Sequence, residues 1–334
     1  MNEIAAIVPN WNGEAHLRRL FDSLQTQTVP PARVLVVDNG SSDGSVALAR
    51  ERGYDVLALA ANAGFAPAVN RGIAATSEPF VAILNNDVTL ASDYLERLIK
   101  ALVTDFYPEA YFATGKIYRH GSETVLDAGW DLLSRACLPL RAGHNRPDGP
   151  AWEQPREIAF APLTAALFRR ELFDRVGNLD ERFESYLEDV DLGLRCAVDG
   201  SRGRFVPGAY AWHWGSATLG VWHPETIRLQ SRNQLLLAAK HFPSKWFGSL
   251  GRPLLAGQLL WGLLAFRHHK LLPWIRGKVE ALGLWSEYRR DRAGPGRVPV
   301  AALLSQFERE ILDLQRETGY DQFWLWYRRV AGDV

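Results

Sequence analysis

Three short apolar runs constrain this chain more than any other feature. Ile4–Pro9, Val34–Val37 and Phe80–Leu84 are contiguous rather than alternating. An unbroken apolar strand is covered on both faces, as in a parallel sheet. Helical patterns lie between the runs. Ala15–Gln25 carries Leu17, Leu20, Phe21 and Leu24 at spacings of three and four, Ser45–Arg52 follows Asp43-Gly44, and Pro67–Thr76 is a third. This alternation predicts an α/β chain with a Rossmann-like, mostly parallel sheet flanked by helices. Ligands of such sheets sit beyond the carboxyl ends of the strands. Asp38 and Asp87, each just past an apolar run, are therefore the first candidate site residues.

The 334 residues can bury a sizeable core, and with 47% hydrophobic and 23% charged residues the composition is globular. The formal net charge is zero, so no global field recruits nucleic acid. Cys137 and Cys196 lack metal-type spacing and read as free thiols, with a single disulfide as the alternative. The N-terminus lacks the basic and apolar regions of a signal peptide, and no window offers a spanning apolar helix. The expected location is cytoplasmic.

Further along, Tyr111–Tyr118 reads as a strand, and Arg141–Pro155, rich in Gly and Pro, reads as a mobile loop. A helix is expected at Arg170–Val176 closed by Gly177, another at Glu188–Val198 closed by Gly200, and a short strand or turn at Val206–Trp214. Beyond His223 the character changes to helical segments dense in Leu and Trp. The expected division is a catalytic domain over 1–242 and a helical, Trp-rich extension over 243–334.

Glu188, Asp189 and Asp191 place three carboxylates in four positions beside Phe, Leu and Tyr. Carboxylates this close repel, and a metal, a proton-transfer role or a cationic substrate would use them; a solvated turn capping the next helix is the other reading. Asp38-Asn39-Gly40-Ser41-Ser42-Asp43-Gly44 favours turns with positive φ. Its carboxylate could accept from a pyrimidine ring N–H or a ribose hydroxyl, or the segment is simply a tight turn with Asp43 as a helix cap. Asn62–Gly72, with Phe65 and Arg71, reads either as a floor under a nucleotide or as a glycine turn and helix start.

Together these segments resemble family 2 glycosyltransferases of the GT-A fold. The likeness is carried by Val8-Pro9-Asn10-Trp11-Asn12, Val36–Ser45, Asn62-Ala63-Gly64-Phe65 with Asn70-Arg71-Gly72, Leu84-Asn85-Asn86-Asp87-Val88, Val176–Phe183, Glu188–Leu192, His213 with Ser216, and Arg232-Asn233. It is nearest in kind to bacterial rhamnosyl- and galactofuranosyl-type transferases that build surface polysaccharide or cell-wall glycans. The resemblance implies a nucleotide-sugar half over about 1–110 and an acceptor and catalytic half over about 111–242.

Residue by residue, it implies that Asp189 is the catalytic base, with Glu188 and Asp191 as supporting or alternative acid/base groups. Asp38 would contact the nucleotide base and Asp43 the nucleoside. Pro9, Asn12, Asn39, Asn62, Gly64, Asn70, Arg71 and Asn86 would complete the donor site. Asp87 would be the metal-binding end of an Asp-x-Asp motif and His213 a further ligand. The cofactor would be a divalent cation, Mg²⁺ or Mn²⁺, imidazole favouring the second. The implied reaction is inverting transfer from a dTDP- or UDP-linked sugar to a hydroxyl of a glycan or lipid-linked glycan. One position departs from the pattern: Asn85 stands where the motif usually begins with Asp. His213 also admits a plainer reading, a packed strand-end histidine between Trp212 and Trp214.

Leu254, Leu255, Leu259, Leu260, Trp261, Leu263 and Leu264, flanked by Arg252, Arg267, His268, His269, Lys270, Arg276 and Lys278, form an apolar surface with basic borders. Peripheral contact with the inner membrane face and a homodimer interface both fit it. Two other function classes stay open: a non-catalytic nucleotide-binding regulatory module, and a nucleotidyltransferase. The latter would carry a basic glycine-rich loop where this chain has Pro9-Asn10-Trp11-Asn12-Gly13.

Overall fold

The three apolar runs become adjacent parallel strands. The computed structural model describes residues 3–104, 110–215, 222–291 and 297–332; Ser216 lies outside them. The chain opens with β1 (Ile4–Asn10), α1 (Glu14–Gln25), β2 (Arg33–Asp38), α2 (Ser45–Glu51), β3 (Asp55–Ala58), α3 (Phe65–Ala74), β4 (Phe80–Leu84), β5 (Val88–Leu90) and α4 (Tyr94–Val103). It continues with β6 (Ala110–Arg119), β7 (Leu126–Ala128), β8 (Asp131–Leu133), β9 (Pro139–Arg141), β10 (Arg156–Ile158), β11 (Ala165–Arg169), α5 (Glu171–Val176), α6 (Glu188–Asp199) and β12 (Arg202–His213). Five helices follow: α7 (Pro224–His241), α8 (Phe247–Arg267), α9 (Leu271–Arg290), α10 (Val300–Thr318) and α11 (Gln322–Ala331).

The main sheet runs β10-β12-β6-β11-β4-β1-β2-β3, with β5 on β12 and β7 on β6. β3, β2, β1 and β4 are mutually parallel, β11 is antiparallel to both β4 and β6, and β12 runs parallel to β6. Every residue of β1 is buried, which explains its unbroken apolar run. Leu17, Leu20, Phe21 and Leu24 are the buried face of α1, as their spacing requires. Because β1 lies between β2 and β4, the strand order reverses there, and in such sheets ligands bind beyond the carboxyl ends at that point.

Two segments differ from the sequence reading. Val206–His213 is the later part of a twelve-residue strand, β12, longer than the short strand or turn expected there. Pro207 signals a break, but it falls in a bulge between Val206 and Tyr210 where no ladder bond is lost to it. The Arg141–Pro155 segment is pinned rather than loose. Lys116 Nζ donates to Asp148 at 2.9 Å and to Glu153 at 2.6 Å, Tyr118 Oη donates to Asp148 at 2.6 Å, and Trp152 is buried.

The chain forms two compact units: Met1–Trp130, Gly143–Cys196 and Ser201–Gly215 in the first, Asp131–Ala142, Ala197–Gly200 and Ser216–Val334 in the second. α7, on the catalytic side of the expected division at 242, therefore belongs to the helical unit. It packs closely on α9: a Cβ at Gly277 would lie 2.2 Å from the Arg228 carbonyl. The hairpin β8–β9 joins that unit, where the Arg135 guanidinium meets the buried Glu308 at 2.7 Å and Tyr327 Oη donates to the same carboxylate at 2.9 Å. Arg232 and Asn233 are buried in α7, bonded to each other at 2.9 Å. Both cysteines are buried, and neither is in a disulfide.

Candidate functional site

The carboxyl ends of β1, β2 and β4 carry an amide and carboxylate network. Asn10 closes β1 in register with Asp38 at the end of β2. Its Nδ2 donates to Asp38 Oδ1 at 2.9 Å, and its Oδ1 accepts from Asn86 Nδ2 at 2.8 Å. Gly13 permits this: a Cβ there would lie 2.1 Å from Asn86 Nδ2. Asp38 is 1% exposed and also accepts from Ser41, from Oγ at 2.6 Å and from N–H at 2.9 Å. One lone pair on Oδ2 remains for a ligand donor.

The neighbouring turns are bound into the same rim. Asn12, at φ 49°, accepts from the Ser42 N–H at 2.8 Å. Asp43 accepts from the first N–H of α1, at Glu14, and from the N–H of Ser45, each at 3.0 Å, so it ties two helix starts together. Burial pushes its carboxyl up, but the Ser45 hydroxyl and these N–H groups outweigh that and hold it below the usual range. Asn39 donates to the Gly64 carbonyl at 3.1 Å, and Asn62 accepts from the Gly64 N–H at 3.0 Å. Pro9 is buried within β1.

α3 connects this rim to the acidic cluster. Gly64 has φ 98°, and a Cβ on it would lie 2.7 Å from the Glu184 carbonyl, which caps α3 by accepting from Phe65 N–H at 3.0 Å. Asn70 spends its amide on the Leu179 backbone, accepting at 3.0 Å and donating at 2.9 Å, so its part is to hold that turn. Arg71 is exposed, and its guanidinium makes no hydrogen bond or ion pair among the described residues. It is available to an anion.

The three carboxylates of the 188–191 cluster separate into different environments. Asp191 is fully buried and pairs with Arg195 Nε at 2.9 Å; the guanidinium also donates to the carbonyls of Val176, Gly177 and Asn178. Its role is to anchor that turn. Glu188 is 7% exposed, whereas Asp189 is half-buried in the first turn of α6. The approach is strained: Glu184, Tyr186 and Leu187 have φ of 62°, 69° and 70°. Such conformations cost about 1–3 kcal/mol each and persist where the surroundings over-determine them.

At the end of β12, His213 lies between two carboxylates. Its Nε2 is 3.2 Å from Asp87 Oδ1, and its Nδ1 is 2.8 Å from Asp127 Oδ2. Burial opposes the imidazolium, but hydrogen bonds and charge from Asp127 and Asp87 win and push its pKa up to about 9. Trp214 stacks on His120 instead, and the Arg19 guanidinium lies over its ring, 4.1 Å from the centroid. Among the described residues no three His, Cys, Asp or Glu side chains are grouped to hold a metal. Asp87 and His213 nonetheless fit two positions of a divalent site. Metal-bound imidazole characteristically gives its other N–H to a carboxylate, which is Asp127's position. Asn85 Oδ1, beside them in sequence, is buried with no hydrogen-bond partner among the described residues.

Asn10, Gly13, Ser41 and Asp127 were not singled out as site residues from the sequence. Asn10 stood inside a recognised motif. Asp127 sits on a three-residue edge strand with no pattern to flag it.

Comparison with known proteins accords with this architecture. The sequence model of glycosyl transferase family 2 matches residues 5–177. N-acetylglucosaminyl-diphospho-decaprenol L-rhamnosyltransferase of Mycobacterium tuberculosis is 29% identical over 285 residues, covering 77% of this chain and 89% of that protein. The pre-mycofactocin glycosyltransferase of the same organism is 29% identical over 230 residues, 66% of this chain and 44% of that one. Among solved structures, GalNAc-T7 with UDP, GalNAc and Mn²⁺ aligns with TM-score 0.61 at 14% identity, over 95% of this chain and 58% of that one. The mannosyltransferase PcManGT of Pyrobaculum calidifontis, in complex with GDP-Man and Mn²⁺, aligns with TM-score 0.53 at 16% identity, over 98% and 86%. At 14% and 16% identity these likenesses show the fold alone.

Proposed function

The chain belongs to glycosyl transferase family 2, and from that premise we propose an inverting, metal-assisted transfer of a hexose, rhamnose being the leading case, from a dTDP- or UDP-sugar to a hydroxyl of a lipid-linked glycan. The row Asp127–His213–Asp87 carries the reading, because it supplies an oriented imidazole and a carboxylate beyond the strand ends where a nucleotide diphosphate would lie. The rim of Asn10, Asn12, Asp38, Asn39, Asp43, Asn62, Gly64 and Asn86 would receive the nucleoside, with Arg71 facing its charge. Asp87 and His213, with oxygens of the diphosphate, would hold the cation, which would offset charge developing on the leaving group. Asp189 would take the acceptor hydroxyl's proton as that oxygen forms its bond to the anomeric carbon and the bond to the diphosphate breaks. One displacement inverts the centre.

The acceptor class is suggested by the mycobacterial relative, whose name specifies a diphospho-decaprenol-linked N-acetylglucosamine. Such an acceptor would bring the protein to the cytoplasmic face of a membrane and to cell-wall or surface-polysaccharide synthesis. The test is a thermal-shift panel of sugar nucleotides with and without Mn²⁺, followed by transfer assays with the best binder. Ligand at a hundred times its Kd adds about 2.7 kcal/mol of apparent stability. Binding without turnover on any lipid-linked acceptor would instead favour a regulatory module.

Two expected results follow from the rim and the histidine. If the remaining lone pair on Asp38 receives a pyrimidine N3–H, calorimetry should give UDP or dTDP an affinity roughly 10-fold or more above GDP, one charge-assisted hydrogen bond being about 1.5–3 kcal/mol. Equal or tighter GDP binding overturns that role. Asp127→Ala should weaken Mn²⁺ binding about 10–100-fold, the usual cost of losing a ligand's outer partner. Titration of free Mn²⁺ by electron paramagnetic resonance checks it; unchanged affinity would leave Asp127 a purely structural group.

A further inference from the structure

The helical unit exposes an apolar face with no protein partner among the described residues. On α8, Leu255, Leu259, Leu263 and Phe266 recur at helical spacing and are each 60–63% exposed. On α9, Leu272, Ile275, Val279 and Leu282 do the same at 41–64%. The opposite side of α9, at Gly277, Ala281 and Tyr288, is buried, so the exposed residues form one face of a packed helix. Only His268-His269-Lys270 separate the two helices. Two helices joined by a three-residue turn thus each leave a row of large apolar side chains in solvent, which calls for an occupant.

Charge selects it. Between Glu225 and Glu280 the sequence has no Asp or Glu. Arg252, Arg267 and Arg276 are exposed and Lys270 is partly so. A chain of zero net charge has thus separated its charges, leaving this segment purely basic. A second copy joined about a twofold axis would set these cations against their own images with no carboxylate between Glu225 and Glu280 to answer them, Glu280 itself being paired with Arg228. No helix among the described residues is long and apolar enough to cross a membrane. An amphipathic face with cationic borders and Trp326 on the neighbouring α11, itself 54% exposed with Arg329 over its ring, suits the headgroup region of an anionic bilayer.

We propose that the exposed faces of α8 and α9 dock on an anionic phospholipid surface, with the leucines in the acyl boundary and the arginines among the phosphates. This gives a place for a membrane-borne acceptor, and rests on the proposed reaction only for that purpose.

The test is flotation of the full chain with vesicles of phosphatidylcholine, with and without phosphatidylglycerol, at low and high salt, with no acceptor lipid present. Failure of the transfer reading therefore cannot affect the outcome. The wild type should float with phosphatidylglycerol vesicles and release as salt rises. Leu259→Glu with Leu263→Glu should reduce partitioning at least roughly 100-fold, from the apolar area withdrawn. Arg267→Gln with Lys270→Gln should reduce it about 30-fold, at about 1 kcal/mol per cation. All four positions are at the surface, and circular dichroism and melting temperature verify the fold. Wild type that stays soluble beside anionic vesicles at low salt overturns the proposal. So does equal binding by either variant, or a wild-type dimer that the leucine variant dissociates while no lipid is bound.

Discussion

Asp189→Asn should lower transfer by about 10²–10⁴-fold, the usual contribution of a positioned general base, while the sugar nucleotide still binds. The expectation rests on how α6 begins. Of the three carboxylates, Asp191 is fully buried on Arg195 and Glu188 is 7% exposed, whereas Asp189 is half-buried, its Oδ1 accepting from the neighbouring Val190 N–H at 2.8 Å. A base must meet a mobile acceptor hydroxyl, and only a carboxylate with some exposure can do so. Kinetics should show a fall in kcat with little change in donor Kd, because the nucleoside rim is built from β1, β2, α3 and the segment after β4. Asp191→Asn is the informative contrast. Breaking a buried ion pair costs about 3–5 kcal/mol, so that variant should melt earlier. Near-wild-type turnover in Asp189→Asn would move the base to Glu188.

The sequence disclosed the parallel half of the sheet because burial on both faces leaves a one-dimensional trace. Ile4–Pro9, Val34–Val37 and Phe80–Leu84 all lie in central strands. It disclosed less of the other half. β5, β7, β8, β9 and β10 have three residues each, too few for a period to register. β12 was truncated in reading because Pro207 and Gly208 imitate a turn while occupying a bulge. The site followed the same division. Asp38, Asp87 and Asp189 were visible as acidic residues at element ends. What each carboxylate meets depends on long-range pairing, so nothing near Asp127 in sequence announces a histidine 86 residues away at 2.8 Å. Likewise, nothing near Asn70 in sequence announces that its amide meets the Leu179 backbone, 109 positions away.

Asp87→Ala should remove metal-dependent nucleotide binding and reduce transfer by roughly 10³-fold or more, since a Lewis acid supplies several kcal/mol and each 1.36 kcal/mol is tenfold. Excess chelator should do the same to the wild type. The substitution leaves the local backbone intact, because the 3.0 Å bond from Trp214 N–H goes to the Asp87 main-chain carbonyl. His213 keeps Asp127 at 2.8 Å, so its orientation should survive while half of the ligand pair is lost. With Asn85 in place of a second carboxylate, the imidazole would carry more of the affinity than in a two-carboxylate site. Nitrogen ligation favours Mn²⁺ over Mg²⁺, so activity restored after chelation should be higher with Mn²⁺ at equal concentration. His213→Ala should then narrow the difference between the two ions more than Asp87→Ala does. Calorimetry of nucleotide binding with each ion, beside initial rates, reads both quantities independently. Full transfer in excess chelator would remove the cation from Asp87 and His213, leaving their 3.2 Å contact as an ion pair that only shapes the end of β12.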